Sequence, residues 1–440
     1  MAGERRRTAT QRREGVLVKI AVIGSGIAGN VAAYHLCREH EITVFEAADH
    51  VGGHTHTHEI EFEGRQIAVD TGFIVCNDRT YPQFLALMAE LGVELQPGEM
   101  SFSVQAANGL EYNGTSLNSL FAQRRNLLRP SFWRMIRDIL RFNREAPRLL
   151  GSPDNGLSMG EYLDQNAYSR EFLDHYILPM GAAIWSAGTG TLRTFPARYF
   201  VRFFHNHGML TVDDRPQWRT VRGGSARYVD KLTAGFRDRI RLRTPVEGVR
   251  RGAAGVFIKA ASSEPERFDR VFFACHSDQA LHLLTDASET EREVLGAIRY
   301  QRNDVLLHSD VGVLPRSRLA WAAWNYHLLD SAAERVAVTY HMGLLQKLDT
   351  RTPLLVTLNM ADRVDERRVI RRMSYEHPVF TAAAVAAQAR QAEINGANRA
   401  YFCGAYWRFG FHEDGVVSAL NALSHFRNIE HAQRPVHRTA

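Results

Sequence analysis

Three observations predict an α/β fold in which a parallel-sheet domain is interleaved with a mixed α+β second domain. A short β-branched run, "KIAVI" (19–23), leads into a glycine-spaced turn, a helical pattern to Leu36 and a second apolar run at 42–45. Strand, helix and strand in that order build a parallel sheet. The 440 residues exceed what one core ordinarily holds. Two long stretches without such signals, 96–214 and 291–394, separate the blocks that carry them.

The first block justifies itself residue by residue. Gly24, Gly26 and Gly29 make GxGxxG between the first strand and its helix. The first glycine allows the tight turn, the second lets backbone approach a pyrophosphate, and the third packs helix against strand. The amides around Ser25, Ile27 and Ala28 at the helix start suit the phosphates. Glu46 closes the second strand 17 residues after Gly29, where an acid binds a ribose hydroxyl pair and disfavours a 2′-phosphate. A glycine-rich turn with no ligand is the plainer alternative, and the strand–turn–helix–strand–acid context argues against it. The expectation is a Rossmann-type dinucleotide-binding domain.

The next stretch, "ADHVGGHTHTHE" (48–59), holds four histidines, His50, His54, His56 and His58. Their alternation suggests ligand spacing, but Gly52-Gly53 points elsewhere. Together with the preceding motif, this stretch resembles the flavin amine oxidase superfamily, whose FAD motif continues into a glycine-pair loop. The resemblance implies the amine oxidase architecture and a non-covalent FAD, with no cysteine at the family's C-terminal attachment position. It implies cofactor contacts from Ala47, Gly52, Gly53, His54 (where the family usually has arginine) and Thr55. His56 and His58 then follow as same-face residues of a strand. "EFEGRQIAVDTGFIV" (61–75) reads as a hairpin ending in the family's D-x-G segment, and the resemblance places Asp70, Gly72 and Phe73 beside the flavin ring. "TVRGGSARYVDKL" (220–232) is similar to the family's second glycine pair, which opens a helix. In "RLRTPVEGVRRGAAGVFIKA" (241–260) the resemblance puts Val246 against the adenine, and "FDRVFFACHSDQALHLL" (268–284) returns the chain to the nucleotide sheet.

"RAYFCGAYWRFGFHEDGVVSALNAL" (399–423) resembles the family's closing strand and helix. Gly404 fits the ribityl-binding glycine, but Ala405 stands where an acid belongs; Glu413 or Asp414 is the expected substitute. Gly415-Val416 fits the helix start that faces the flavin, where the helix N-terminus stabilises the reduced ring. The domains so implied are a disordered basic leader (1–16), a discontinuous FAD-binding domain (17–95, 215–290 and 395–428), a substrate domain (96–214 and 291–394) and a tail (429–440).

The chemistry implied is hydride removal from a C–H bond. The family's amine oxidases carry a lysine near the flavin on a substrate-domain strand, and the matching region "IRYQRNDVLLHSD" (298–310) has none. Shorter strings, "AWAAWNYH" (320–327), "DVLLHSD" (304–310) and "GFHEDG" (410–415), resemble a bacterial subgroup linked to cyclopropane, methylated and furan fatty acids, including flavin-dependent fatty-acyl desaturases. The expected reaction is desaturation of a methyl-branched fatty-acyl chain, free or within a phospholipid. Oxidation of an amine, porphyrinogen or polyene, and flavin binding without turnover, are the alternatives. His412 and Glu413 are the candidate proton acceptors, with loop capping as the plainer reading. Tyr406, Trp407, Phe409 and Phe411 are candidate substrate-flanking rings, with ordinary packing as the alternative.

"LLRPSFWRMIRDILRFNREAPRLL" (127–150) places Arg134, Arg137, Arg141, Arg144 and Arg148 on one helical stripe. Peripheral docking on an anionic membrane surface is the functional reading, and a solvated face of a domain helix is the plainer one. Net charge is 54 − 48 = +6, mildly basic. The leader "MAGERRRTATQRREG" lacks an apolar segment, and no run is long enough to span a bilayer. Cys37, Cys76, Cys275 and Cys403 show no framework spacing, which fits a reducing cytoplasm. Neither a metal nor a nucleic-acid partner is expected. His205, His207, His308, His327 and His341 form no ligand motif, and no GxSxG supports hydrolysis.

Overall fold

The computed structural model describes residues 17–432 except Asn155, Ser186, Val212, Asp214, Ser262 and 330–336. The leader at 1–16 and the end of the expected tail, 433–440, lie outside the described residues. In the first sheet β1 (Lys19–Ile23) lies between β2 (Glu41–Phe45) and Arg270–Phe273, with Ile240–Arg241 and Ala400–Phe402 at the edges. All five strands run parallel. Their side chains alternate between two cores. Ile20, Val22, Phe272 and Tyr401 face α1 (Ile27–Leu36), α2 (Pro82–Glu90) and the closing helix. Ala21, Ile23, Val271, Phe273 and Phe402 face an antiparallel meander (Val246–Gly252, Gly255–Ala260, Glu266–Phe268) and the helices that follow. Burial on both faces explains why these strands read as unbroken apolar runs.

The predicted hairpin is β3 (Thr57–Phe62) and β4 (Arg65–Asp70), paired in register from Thr57–Asp70 to Phe62–Arg65. Its turn is Glu63-Gly64, both at positive φ (51° and 72°), as a tight two-residue hairpin turn requires.

The second sheet has seven strands in the order Val369–Val379, Arg299–His308, Leu355–Leu358, Ala337–His341, Trp324–Leu328, Phe102–Ala106 and Glu111–Asn113. All neighbours are antiparallel except the Trp324–Leu328 and Phe102–Ala106 pair. The chain thus leaves the first sheet and returns to it twice, which is the interleaving expected. A helical layer covers this sheet, built from α3 (Pro130–Glu145), α4 (Leu178–Trp185), Ala197–Asn206 and shorter pieces packed on Tyr326, Val338 and Phe380. Two further helices complete the frame: α5 (Ala226–Thr233) and α6 (His412–Ala432).

The arginine stripe differs from the expectation. It ends with α3, because Arg148 opens a separate short helix after Pro147. Arg134 pairs with Glu171, Arg137 and Arg141 reach the buried Asp138, Arg144 meets Glu145, and the Arg141 guanidinium covers the Tyr168 ring. Arg134 and Arg141 thus tie α3 to its neighbours, while Arg137 and Arg144 pair within the helix and stay largely exposed. No described helix is long and apolar enough to cross a membrane. The cysteines are unpaired.

Candidate functional site

A cavity of about 780 Å³ is lined from both sheets. Its first half is backbone. The glycine turn after β1 is held by the Gly24 amide on the Phe45 carbonyl (2.8 Å) and the Asn30 side-chain amide on the Ser25 carbonyl (2.6 Å). Gly24 sits at φ 101°, and a Cβ there would come within 2.9 Å of the Ala274 carbonyl oxygen. A Cβ on Gly29 would collide with the Gly24 carbonyl oxygen. On Gly26, by contrast, a Cβ would meet no atom within 4 Å, because that residue faces the cavity.

The second glycine pair packs on the first turn. The Gly52 amide donates to the Ser25 carbonyl (3.0 Å), and a Cβ on Gly53 would lie 3.1 Å from the Gly26 Cα. Glu46 accepts from the Ser25 amide (2.8 Å) and hydroxyl (2.6 Å) through Oε2, and from the Ala48 amide (2.8 Å) through Oε1. Oε2 is thereby fully used, and Oε1 keeps acceptor capacity for a ribose hydroxyl. Ala47, Val246 with Thr244 and Pro245, and Gly72 with Phe73 also line the cavity. A Cβ on any side of this cradle is barred or would occupy the open space, so the residues fit a dinucleotide such as FAD.

The second half is apolar and aromatic. Ile184 and Trp185 at the end of α4, Trp324 and Tyr340 in a T-shaped pair at 5.0 Å, and Phe380, Phe409 and Phe411 form its walls. The edge strand Val369–Val379 and its neighbour Arg299–His308 add Tyr300, Tyr375, Glu376, His377 and Pro378. No lysine or arginine lines the cavity among the described residues.

Burial sets the charge state of its histidines. His54, His276 and His377 cluster with ring centroids 5.5–6.2 Å from His54. Burial pushes His54 and His276 down to about 4 and His377 to about 3, with neighbouring imidazoles adding to the shift, so all three are neutral at pH 7. The His54 Nε2 is buried without a hydrogen-bond partner. A buried, unsatisfied ring nitrogen on a residue that lines this space suits a cofactor atom as its partner. His56 meets the cavity indirectly: its Nδ1 is 3.2 Å from the Tyr375 hydroxyl, which is 2.8 Å from the Thr71 hydroxyl. His50, His56 and His58 stack at about 4 Å, and no group of three or more His, Cys, Asp or Glu among the described residues has the geometry to hold a metal ion.

Several expected site residues stand elsewhere. Asp70 is buried off the cavity, and its carboxylate accepts from the Ser225 amide and hydroxyl, the Thr57 hydroxyl and the Gln346 side-chain amide (2.7 Å). It clamps the hairpin to the second glycine pair (Gly223, Gly224) at the start of α5. Burial raises it to about 6 despite these donors. Thr55 also lies behind the wall, its hydroxyl 2.5 Å from the Tyr228 hydroxyl and 2.9 Å from His412 Nε2.

His412 and Glu413 do not form a pair. The His412 ring lines the cavity, stacked 3.5 Å from Phe73, and burial holds its pKa well below the ordinary value. Glu413 points away and caps α2 across the chain, accepting from the Gln83 (3.0 Å) and Phe84 (2.8 Å) amides. Asp414 accepts from the Phe409 (3.2 Å) and Phe411 (2.9 Å) amides. Neither acid therefore replaces the missing ribityl carboxylate at Ala405, and both serve helix termini. Gly404 and Tyr406 line the cavity, whereas Gly415 and Val416 lie behind it; a Cβ on Gly415 would come within 2.6 Å of the Ile27 side chain, so that glycine lets α6 pack on α1. The α6 N-terminus itself opens on the cavity at His412.

Sequence reasoning missed Trp185, Tyr300, Tyr340, Tyr375, His377 and Phe380. Tyr375 and His377 stand two apart in one strand, a same-face signal that was available; the others converge from separate segments without a motif.

Residues 27–304 match the sequence model of a family described as flavin containing amine oxidoreductase. No curated protein sequence matches the chain. Solved structures with this fold include a cyclohexylamine oxidase from Brevibacterium oxydans IH-35A (16% identity, 94% of this chain and 99% of that one, TM-score 0.67). A putrescine oxidase bound to putrescine (16%, 94% and 100%, TM-score 0.66) and a CLA-producing fatty acid isomerase from P. acnes (17%, 93% and 98%, TM-score 0.64) share it as well.

Proposed function

Because the chain belongs to the flavin containing amine oxidoreductase family and is an FAD-dependent oxidoreductase, we propose that it oxidises a neutral, lipophilic substrate, most readily an acyl chain desaturated beside a methyl branch or an existing double bond. The observation that carries this reading is the apolar half of the cavity: aromatic and aliphatic walls, with no lysine or arginine among the described lining residues. Such a wall leaves a carboxylate or phosphate headgroup outside and admits a hydrocarbon chain, whose burial contributes about 0.8 kcal/mol per methylene. A pocket without a buried unpaired acid near the rings, its Glu376 being partly exposed and 3.4 Å from the His276 Nδ1, gives a protonated amine little to pair with. The missing lysine in 298–310 points the same way.

Bound FAD supplies the hydride acceptor. Gly26 and Gly53 would present backbone to its phosphates, and Glu46 would accept from a ribose hydroxyl. Trp185, Tyr340, Phe380 and Phe411 orient the chain and exclude water from the reacting carbon. His412 stays neutral at the α6 N-terminus, so the positive charge at that end of the cavity is the helix's own. The test is anaerobic bleaching of the purified yellow protein by methyl-branched or unsaturated acyl lipids, together with fatty-acid profiles of cells with and without the protein. Bleaching by amines and by no acyl lipid would overturn the reading.

A further inference from the structure

The described surface exposes eight large hydrophobic side chains, and six of them, Leu117, Leu127, Leu128, Trp133, Leu140 and Leu319, belong to neighbouring elements. Leu128 is 87% exposed, Leu117 77% and Trp133 48%. The elements are the helix Leu117–Leu120, the 3₁₀ turn Arg124–Leu128, α3 and the turn Arg318–Ala320. They are held together rigidly. The Trp133 indole N–H donates to the Leu127 carbonyl (2.9 Å), its ring lies 5.4 Å from Phe121, and Arg124 and Arg125 donate to the Phe121 and Gly109 carbonyls. The helix Leu117–Leu120 packs against the Arg318–Ala320 turn. Exposure here is a fixed feature of the surface and does not reflect a loose loop.

Charge surrounds this ridge. Residues 117–148 carry eight arginines against Asp138 and Glu145, so 8 − 2 = +6, equal to the net charge of the whole chain. Where the α3 arginines are paired with acids, Arg124, Arg125 and Arg129 stand exposed beside Leu127 and Leu128, and Arg316 and Arg318 stand exposed beside Leu319. An indole and several leucines ringed by guanidinium groups match an interface that is apolar inside and anionic at its surface. A protein partner would more often meet such leucines with a concave apolar patch and few charges.

We propose that this face, from Leu117 to Trp133 with the Arg318–Ala320 turn, docks the protein on an anionic lipid bilayer, Leu128, Leu117 and Trp133 entering the headgroup region and Arg124, Arg125 and Arg129 contacting lipid phosphates. The face is joined to the cavity. The α3 helix packs on Arg170–Phe172 and on the π-helical turn Leu173–Ile177, and that turn continues into α4, whose Ile184 and Trp185 wall the cavity. Docking is a separate claim from the oxidation proposed above, and vesicle binding reads it without any turnover.

The experiment is co-sedimentation of the full-length, flavin-loaded protein with phosphatidylcholine vesicles, with or without about 30% phosphatidylglycerol, at low and high salt. Wild type is expected to bind the anionic vesicles and to be released by salt. Exchanging Arg124, Arg125 and Arg129 for glutamine should weaken binding roughly fivefold per arginine. L128S with L117S should lower it at least tenfold and leave flavin content and Tm unchanged, because both side chains are more than three-quarters exposed. Absence of binding to anionic vesicles at low salt, or variants that bind as wild type does, overturns the proposal. So does a dimer of the lipid-free protein that L128S dissociates, which would assign the ridge to a second copy of this chain.

Discussion

The two halves of the cavity hold their occupants by different means. On the nucleotide side the recognising surface is main chain, shaped by Gly24, Gly26, Gly29, Gly52 and Gly53 within two short runs of sequence. On the other side it is made of side chains from many separate stretches, including Ile184 and Trp185, Tyr300, Trp324, Tyr340, Tyr375 to Phe380, and Phe409 to Phe411. A backbone cradle has almost no tolerance for an added methyl group, whereas an aromatic wall can repack. Substitutions on the nucleotide side should therefore act all or nothing, and those on the apolar side should act by degrees.

The largest effect should come from Gly29. A Cβ there collides with the Gly24 carbonyl, so Gly29→Ala must displace α1 from the turn. Loss of soluble, flavin-bearing protein is expected, with at least about 3 kcal/mol of destabilisation from overpacking. Gly26→Ala is the control, because its Cβ enters open space. That variant should fold with wild-type circular dichroism and lose FAD. If Gly29→Ala and Gly26→Ala behave alike, the distinction between packing glycine and cofactor glycine is wrong.

Asp70 comes next. Its carboxylate holds Ser225, Thr57 and Gln346. Asp70→Ala strands those buried donors and should cost about 2–4 kcal/mol, read as a lower denaturation midpoint. Flavin spectra of the folded fraction should be unchanged, since Asp70 does not reach the cavity.

Glu413 tests a sequence expectation the structure corrects. As the acceptor for the Gln83 and Phe84 amides it is an N-terminal cap of α2, and Glu413→Ala should cost about 1–2 kcal/mol. Glu413→Gln keeps one acceptor and should retain turnover. A Glu413→Gln protein with normal Tm and no activity would restore the acid to a catalytic role.

The pH dependence of stability follows from the buried imidazoles. His54, His207, His276 and His308 are held at about 4, and His327 and His377 at about 3, against 6.5 when unfolded. Between those values the unfolded chain binds more protons, so stability falls as pH drops below about 6.5. Asp70 at about 6 and Asp414 at about 7 work in the opposite direction, being stabler protonated, but the lowered imidazoles, His56 at about 4 among them, outnumber them. Tm should therefore decline steadily from pH 6.5 toward 4, and a flat profile over that range would contradict the neutral histidine cluster.

How much of this could be read from residues alone follows the same division. The parallel sheet, the glycine turn, Glu46, the hairpin and the closing helix were all predictable, because a local run of sequence determines each one. What Glu413 and Asp70 do was not, since a carboxylate reads the same whether it faces a cavity or a helix terminus 330 residues away. The docking ridge was half visible: the arginine stripe of 134–148 stood out, but that its members are largely paired while Arg124, Arg125 and Arg129 stand exposed beside leucines is a tertiary fact. The aromatic wall left no motif, because its rings are brought together only by the second sheet and its helical layer.

His54 lies where the two halves meet, and it gives the smallest and most discriminating prediction. Its loop belongs to the glycine cradle, while its ring sits among Tyr375, His276 and His377 on the apolar side. The superfamily usually places an arginine here, a permanent cation with several donors. A neutral imidazole with one unsatisfied buried nitrogen offers a single hydrogen bond, worth roughly 0.5–1.5 kcal/mol, or a two- to tenfold change in affinity. His54→Ala should weaken FAD binding by that factor and no more, measured by flavin release on dilution. Because the ring is already neutral, wild-type affinity should be level from pH 6 to pH 8 and weaken only as pH approaches about 4. An affinity that instead rises as pH falls from 7 to 6 would mean an imidazolium contacts the pyrophosphate, and the ring would then do the arginine's work as a cation.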